Sequence, residues 1–142
     1  MPTATLSLPP LRDHVRTARL VAVAAARRAG LPEADVDDVR LAVGEAVARA
    51  VLRHESAGIP TPVEVAISDD GREFAVTVAD VSATGTGTSA SDRVAPDEPT
   101  VDDAHQDDYA LALLAALAPS VHETSSPDGT SLSMAWPLTA AA

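Results

Sequence analysis

Apolar residues alternate with polar or small ones in "VEVAISDDGREFAVTVADV" (63–81). Val63, Val65 and Ile67 precede "DDG", and Phe74, Val76 and Val78 follow it. Period-two patterning on both sides of an Asp-Gly turn predicts a β-hairpin. "VHETSSPDGTSLSMAWPL" predicts a second, turning at "PDG", with Leu132, Met134 and Trp136 on one face. "TATLSLPP" alternates and then stops at two prolines, as a short edge strand does. Between these segments the period lengthens. Asp13 is expected to cap a helix reaching about Ala29, with Val15, Leu20, Val23 and Ala26 near one stripe and Gly30 closing it. "LPEADVDD" opens a second helix, with Pro32 near its start and acids that suit the macrodipole, running to about Arg53. "YALALLAALAPS" reads as a short third helix, apolar enough to be buried on most sides.

From Ser82 to Asp108 the periodicity is lost. "SATGTGTSASD" is rich in Gly, Ser and Thr, and "APDEPTVDDAHQDD" in Pro and acid. So long an irregular segment in a small domain is a lid, a binding loop or a disordered insert. The order β-α-α-β-β-loop-α-β-β segregates helices from hairpins, which predicts an α+β two-layer sandwich. The expected organisation is one domain over 1–142 with a lid-like segment at 82–108.

Composition narrows the function classes. The chain has 142 residues and a net charge of −11, with 46% hydrophobic residues but only 2% aromatic. The core must therefore be built from Ala, Val and Leu. The acidic balance argues against direct nucleic-acid binding. All ten bases are Arg, and there is no Cys, hence no thiolate metal site. Neither a signal peptide nor a membrane span is evident, so a cytoplasmic protein is expected.

Candidate chemistry is sparse. In "VRLAVGEAVARAVLRH" Glu45 stands four residues before Arg49, flanked by Leu41, Ala42, Ala48 and Leu52. Residues at that spacing are neighbours on a helix, so the two can form an exposed ion pair. Alternatively, the acid lines a pocket wall. His14, His54, His105 and His122 lack metal-ligand spacing and read as surface or capping residues. Ser89 and Ser91 have no general base in register, "TGTG" lacks the Lys of a phosphate loop, and Trp136 reads as packing. Arg12, Arg16 and Arg19 form either a solvated face or a local positive patch where an acidic partner docks.

The order of these features resembles the GHKL ATPase superfamily, and within it the anti-sigma factor serine kinases of the RsbW and SpoIIAB type. "VRLAVGEAVARAV" is similar to that family's N-box helix, "VTVADV" to the strand entering the first glycine box, and "YALALLAALAPSVHETSSPDGTSLSMAWP" to its last helix and hairpin. The resemblance covers nearly the whole chain. It implies a Bergerat-type fold, with a mixed, mostly antiparallel sheet covered on one face by helices. It also implies that Glu45 stands at the catalytic base, Asp80 at the residue that reads adenine, and Thr130 at the residue supporting the adenine pocket.

The departures oppose nucleotide chemistry. Arg49 replaces the Asn that binds magnesium; a guanidinium has no lone pair to offer a metal, and its cation would neutralise Glu45. Ser82 and Thr84 occupy the glycine positions of the first box, and Asp108 and Ala110 those of the second. Asp107 and Asp108 are expected to cap the helix N-terminus that would bind phosphate, and to repel a triphosphate.

The resemblance and its departures together imply a degenerate member without kinase activity. It would bind a sigma factor, a STAS-domain anti-anti-sigma factor, or both, as a possible homodimer. No cofactor or metal is then expected. The alternative is a working ATP- and magnesium-dependent serine kinase that phosphorylates an anti-anti-sigma factor.

Overall fold

A computed structural model of the chain describes residues 3–81 and 101–138, with the backbone alone for Thr3 and residues 101–108. Strand β1 (Thr3–Leu8) leads through a short 3-10 turn (Arg12–His14) into α1 (Val15–Ala29) and α2 (Glu33–Ala57). The hairpin β2 (Val63–Asp69) and β3 (Glu73–Val81) follows, then α3 (Val101–Leu117) and the hairpin β4 (Ser120–Ser126) and β5 (Gly129–Pro137). The strands form one sheet in the order β1-β2-β3-β5-β4. Each pairing is antiparallel, so the sheet is not mixed as the resemblance implied. The α+β class holds.

Register decides which side chains meet the helices. Ile67, Val76, Met134 and Val121 lie in one row across four strands, and Val65, Val78, Leu132 and Glu123 in the next. Residues directly opposite each other share a face. That face therefore carries Val63, Val65, Ile67, Phe74, Val76, Val78, Leu132, Met134 and Trp136, all buried in the core with α1 and α2. A fully buried Val or Leu is worth roughly 1.5–3 kcal/mol, so a core with few aromatics suffices. Phe74 and Trp136 pack with ring centroids 6.2 Å apart. The Trp136 indole N–H donates to the Leu117 carbonyl at 3.2 Å, tying β5 to the end of α3.

Several expectations change in three dimensions. Asp13 does not cap α1: it lies in the 3-10 turn, and His14 stands at the N-cap without a side-chain cap bond. The buried stripe of α1 is Ala18, Ala22, Val23 and Ala26, while Leu20 is 60% exposed. Alanines let α1 approach its neighbours closely, and the larger Leu20 is left outside. Helix α2 runs four residues beyond Arg53, to Ala57. Helix α3 begins at Val101, so the backbone of residues 101–108, assigned to the lid, is helical. Among its described side chains it buries Ala110 and Leu114, with Ala118 just beyond its end, and Tyr109 is exposed. It packs against α2 and β4, so one side faces solvent.

The β2–β3 turn is set by two carboxylates. Asp69 accepts from the Gly71 N–H, and Asp70 from the Arg72 and Glu73 N–H groups, each at 2.8 Å. The bonds from Glu73 and then Arg72 hold the Asp70 carboxyl below its ordinary range. A carboxyl with a depressed folded-state value adds stability above its unfolded value and loses it as pH falls through the folded one. Asp70→Ala should therefore lower the melting temperature at neutral pH. In thermal melts, the gap from the parent should close on acidification through the carboxylate range.

Candidate functional site

The face of α2 that meets the ends of β3, β4 and β5 holds most of the buried charge among the described residues. Glu45, Arg49 and Arg53 succeed one another at one-turn spacing, so they share that face. The strand register supplies acids beneath them. Asp80 lies opposite Thr130 on β5, and Glu123 lies opposite Leu132, one row away.

Two guanidiniums bridge the layers. Arg49 Nη1 donates to Glu123 Oε2 at 2.9 Å, with the Arg49 side chain only 8% exposed. Arg53 Nη1 donates to Asp80 Oδ2 at 2.9 Å, with the Asp80 side chain 7% exposed. The other oxygen of Asp80, Oδ1, accepts the Thr130 backbone N–H at 3.0 Å. Both oxygens of the carboxylate are thus engaged.

His54 continues the arrangement. It is fully buried, not a surface or capping residue as its isolation in the chain implied. Its Nδ1 lies 2.7 Å from the Thr61 carbonyl, and its Nε2 accepts the Val81 N–H at 3.0 Å. Only the neutral ring with its proton on Nδ1 satisfies both. Consecutive residues of α2, Arg53 and His54, therefore hold consecutive residues of β3, Asp80 and Val81.

The sequence-derived site residues separate into four groups. Asp80 and Thr130 do meet, through the backbone of Thr130. Glu45 and Arg49 share a face but form no pair: among the described residues the ion pair of Arg49 is with Glu123. Glu45 is half-buried and has no hydrogen-bond or ion-pair partner among the described residues. Arg49 thus does not neutralise it, because the longer reach across to β4 takes the guanidinium away from its own helix. Asp108 lies in the interior of α3, not at its N-terminus, so the expectation that Asp107 and Asp108 block a phosphate-binding helix end is overturned. Ala110 is buried on the same helix. Ser82 and Thr84 lie outside the described residues.

Arg53 and Glu123 escaped the sequence reading. Arg53 follows Arg49 by one turn, and Glu123 stands in phase with Leu132 once the "PDG" turn fixes the hairpin register. Both signals were present but needed that register to be interpreted.

The three arginines of the first helix also divide. Arg12 lies 3.5 Å from Glu55 on the exposed surface. Arg16 and Arg19 instead line a groove with Leu20, Val23, Arg27 and Arg40.

The sequence matches the histidine kinase-like ATPase domain over residues 8–136. The chain belongs to that family. No curated protein matches the sequence. Among solved structures, the RsbU and RsbW domains of Rv1364c from Mycobacterium tuberculosis align with a TM-score of 0.66 and 19% identity. The alignment covers 95% of this chain and 32% of that one. At that identity the likeness establishes the shared fold, and the chain spans about a third of the matched protein. Among the described residues no helix is long and apolar enough to cross a membrane, and no cluster of His, Cys, Asp or Glu is placed to hold a metal.

Proposed function

We propose that this member of the family is a regulatory protein of the anti-sigma type that works by binding partner proteins, with its nucleotide cleft closed. The observation that carries this reading is the Arg53–Asp80 pair. In the resemblance, Asp80 is the residue that reads adenine. Here one of its oxygens accepts from a guanidinium and the other from the Thr130 N–H. An adenine amine entering the cleft would have to displace a paired charge from a carboxylate that is nearly out of water, which is costly.

Arg49 adds a second obstacle. It stands where the resemblance places a metal-binding Asn, and it carries five donors and no acceptor. The residues in place do not fit a magnesium–nucleotide complex. The partners would be a sigma factor, a STAS-domain anti-anti-sigma factor, or both, reached through α1, where Arg16 and Arg19 are exposed. Exchange between such partners would be governed by competition, with no phosphorylation step. A homodimer is compatible with this role.

A working serine kinase remains the second reading, and one observation favours it. Glu45 is free of Arg49 and has no ionic partner among the described residues, so its carboxylate is available as a base. Calorimetric titration with ATP and magnesium separates the two. The expected result is no binding at micromolar concentrations, and none after Arg49→Asn, because Arg53 still holds Asp80. Micromolar binding by the unmodified chain would establish the nucleotide site and overturn the first reading.

A further inference from the structure

The dipeptide Asp-Gly occurs twice, at Asp70–Gly71 and Asp128–Gly129, each at the turn of a hairpin. In such a pair the glycine amide nitrogen can attack the aspartyl Cγ, because glycine has no Cβ to hinder the approach. The N–Cγ bond forms, and the amide proton and the carboxyl OH leave together as water, giving a cyclic succinimide. Water then opens the ring. Opening at the side-chain carbonyl restores Asp. Opening at the main-chain carbonyl leaves glycine attached through Cβ and Cγ, an isoaspartyl residue with one more methylene in the backbone. The chain has no Asn, so no deamidation feeds the same intermediate.

The two turns treat this chemistry differently. At the first, both reacting groups are engaged elsewhere. The Gly71 N–H donates to Asp69 Oδ1, and Asp70 Oδ1 accepts from the Arg72 and Glu73 N–H groups, each at 2.8 Å. Those bonds from Glu73 and Arg72 also favour the ionised Asp70 carboxyl, which has no OH to release as water. At the second, Asp128 is exposed, and its carboxyl has no hydrogen bond or ion pair among the described residues. Ser126 ties that turn instead: its Oγ accepts the Asp128 N–H at 3.2 Å and donates to the Gly129 carbonyl at 3.4 Å. The Asp128 carboxyl stays free to rotate onto the Gly129 nitrogen.

We propose that Asp128–Gly129 is a site of spontaneous aspartyl isomerisation, a covalent backbone modification that loosens the clasp on Asp80. The position magnifies the change. Gly129 opens β5, opposite Ser126 on β4 and Val81 on β3. A Cβ there would already overlap the Asp80 carbonyl, and the next residue, Thr130, gives its N–H to Asp80 Oδ1 at 3.0 Å. An extra methylene just before Gly129 displaces the strand where the approach is closest.

The test ages the full chain in heavy-oxygen water near neutral pH and physiological temperature. Cleavage after glutamate isolates the two turns as residues 65–73 and 124–142 for mass spectrometry. The second peptide should take up heavy oxygen several-fold faster than the first, and electron-transfer fragmentation should place isoaspartate at residue 128. Amide exchange of Thr130 should quicken in the aged fraction. Asp128→Glu, aged alike, should keep the parent's protection, because the longer side chain cyclises far more slowly. Equal or faster uptake at the first turn would overturn the inference. So would the absence of isoaspartate at residue 128 in the folded chain while a synthetic 124–142 peptide isomerises. Isoaspartate that leaves Thr130 exchange unchanged would also overturn it, since the modification would then not reach Asp80.

Discussion

Arg53→Met should cost about 3 kcal/mol of unfolding free energy, near the lower end of values for removing one member of a buried ion pair. Methionine fills much of the volume but leaves Asp80 as a charge in a nearly dry site, supported only by the Thr130 N–H. Asp80→Asn should cost less, about 1–2 kcal/mol: the amide oxygen still accepts from Thr130, and the Arg53 side chain is one-third exposed, so water can solvate its cation. The double variant should be little worse than Asp80→Asn alone, since no unpaired buried charge remains. Urea unfolding of the four proteins gives the coupling directly. If Arg53→Met proves as stable as the parent, water solvates Asp80, and the closed cleft loses its physical basis.

Gly129→Ala should be comparably damaging, at about 3 kcal/mol. Gly129 adopts φ 151°, and an added Cβ would overlap the carbonyl oxygen of Asp80. That carbonyl belongs to β3, whose ladder with β5 runs from Glu73–Pro137 to Val81–Gly129, so it cannot retreat without opening the end of the pairing. Backbone strain and steric conflict therefore add. Gly71→Ala is the internal control. Its φ of 82° is also unfavourable for an L side chain, but open space surrounds it, so only the conformational cost of about 1 kcal/mol should appear. Equal losses at the two positions, measured by thermal or urea unfolding, would show that β5 yields at Gly129 and that the approach to Asp80 is not tight.

Both predictions concern one junction. Arg53 and His54 clip Asp80 and Val81 to α2, and Gly129 lets β5 come close enough for Thr130 to reach the same carboxylate. Among the described residues no buried side-chain nitrogen or oxygen lacks a partner. The junction is therefore a satisfied polar network, and such networks lose most when a single member is removed. In the proposed reading, the same bonds that stabilise the junction are those an incoming nucleotide would have to displace.

Local pattern alone determined the two hairpins, the apolar faces of their strands and the α+β class. Period-two alternation is a property of neighbouring residues, and Asp-Gly turns fix register at short range. It also located the helices, though it erred where neighbours far along the chain decide: Leu20 looks like a core residue until alanines on the same helix prove to be the contact surface. Of the candidate site, Arg49, Asp80 and Thr130 stood out as positions, whereas Arg53, Glu123 and the pairing of all of them did not. Glu45 and Arg49 are adjacent on one helix, and helical spacing predicted their union. Only tertiary structure brought Glu123, 74 residues away in the chain, within 2.9 Å of Arg49, and Arg53 onto Asp80. The reason is energetic. An ion pair along an exposed helix face is worth a few tenths of a kcal/mol, whereas a carboxylate buried by the sheet must find a cation or leave the core. The partner chosen is therefore set by which charges folding strips of water, a quantity that no spacing along the chain contains.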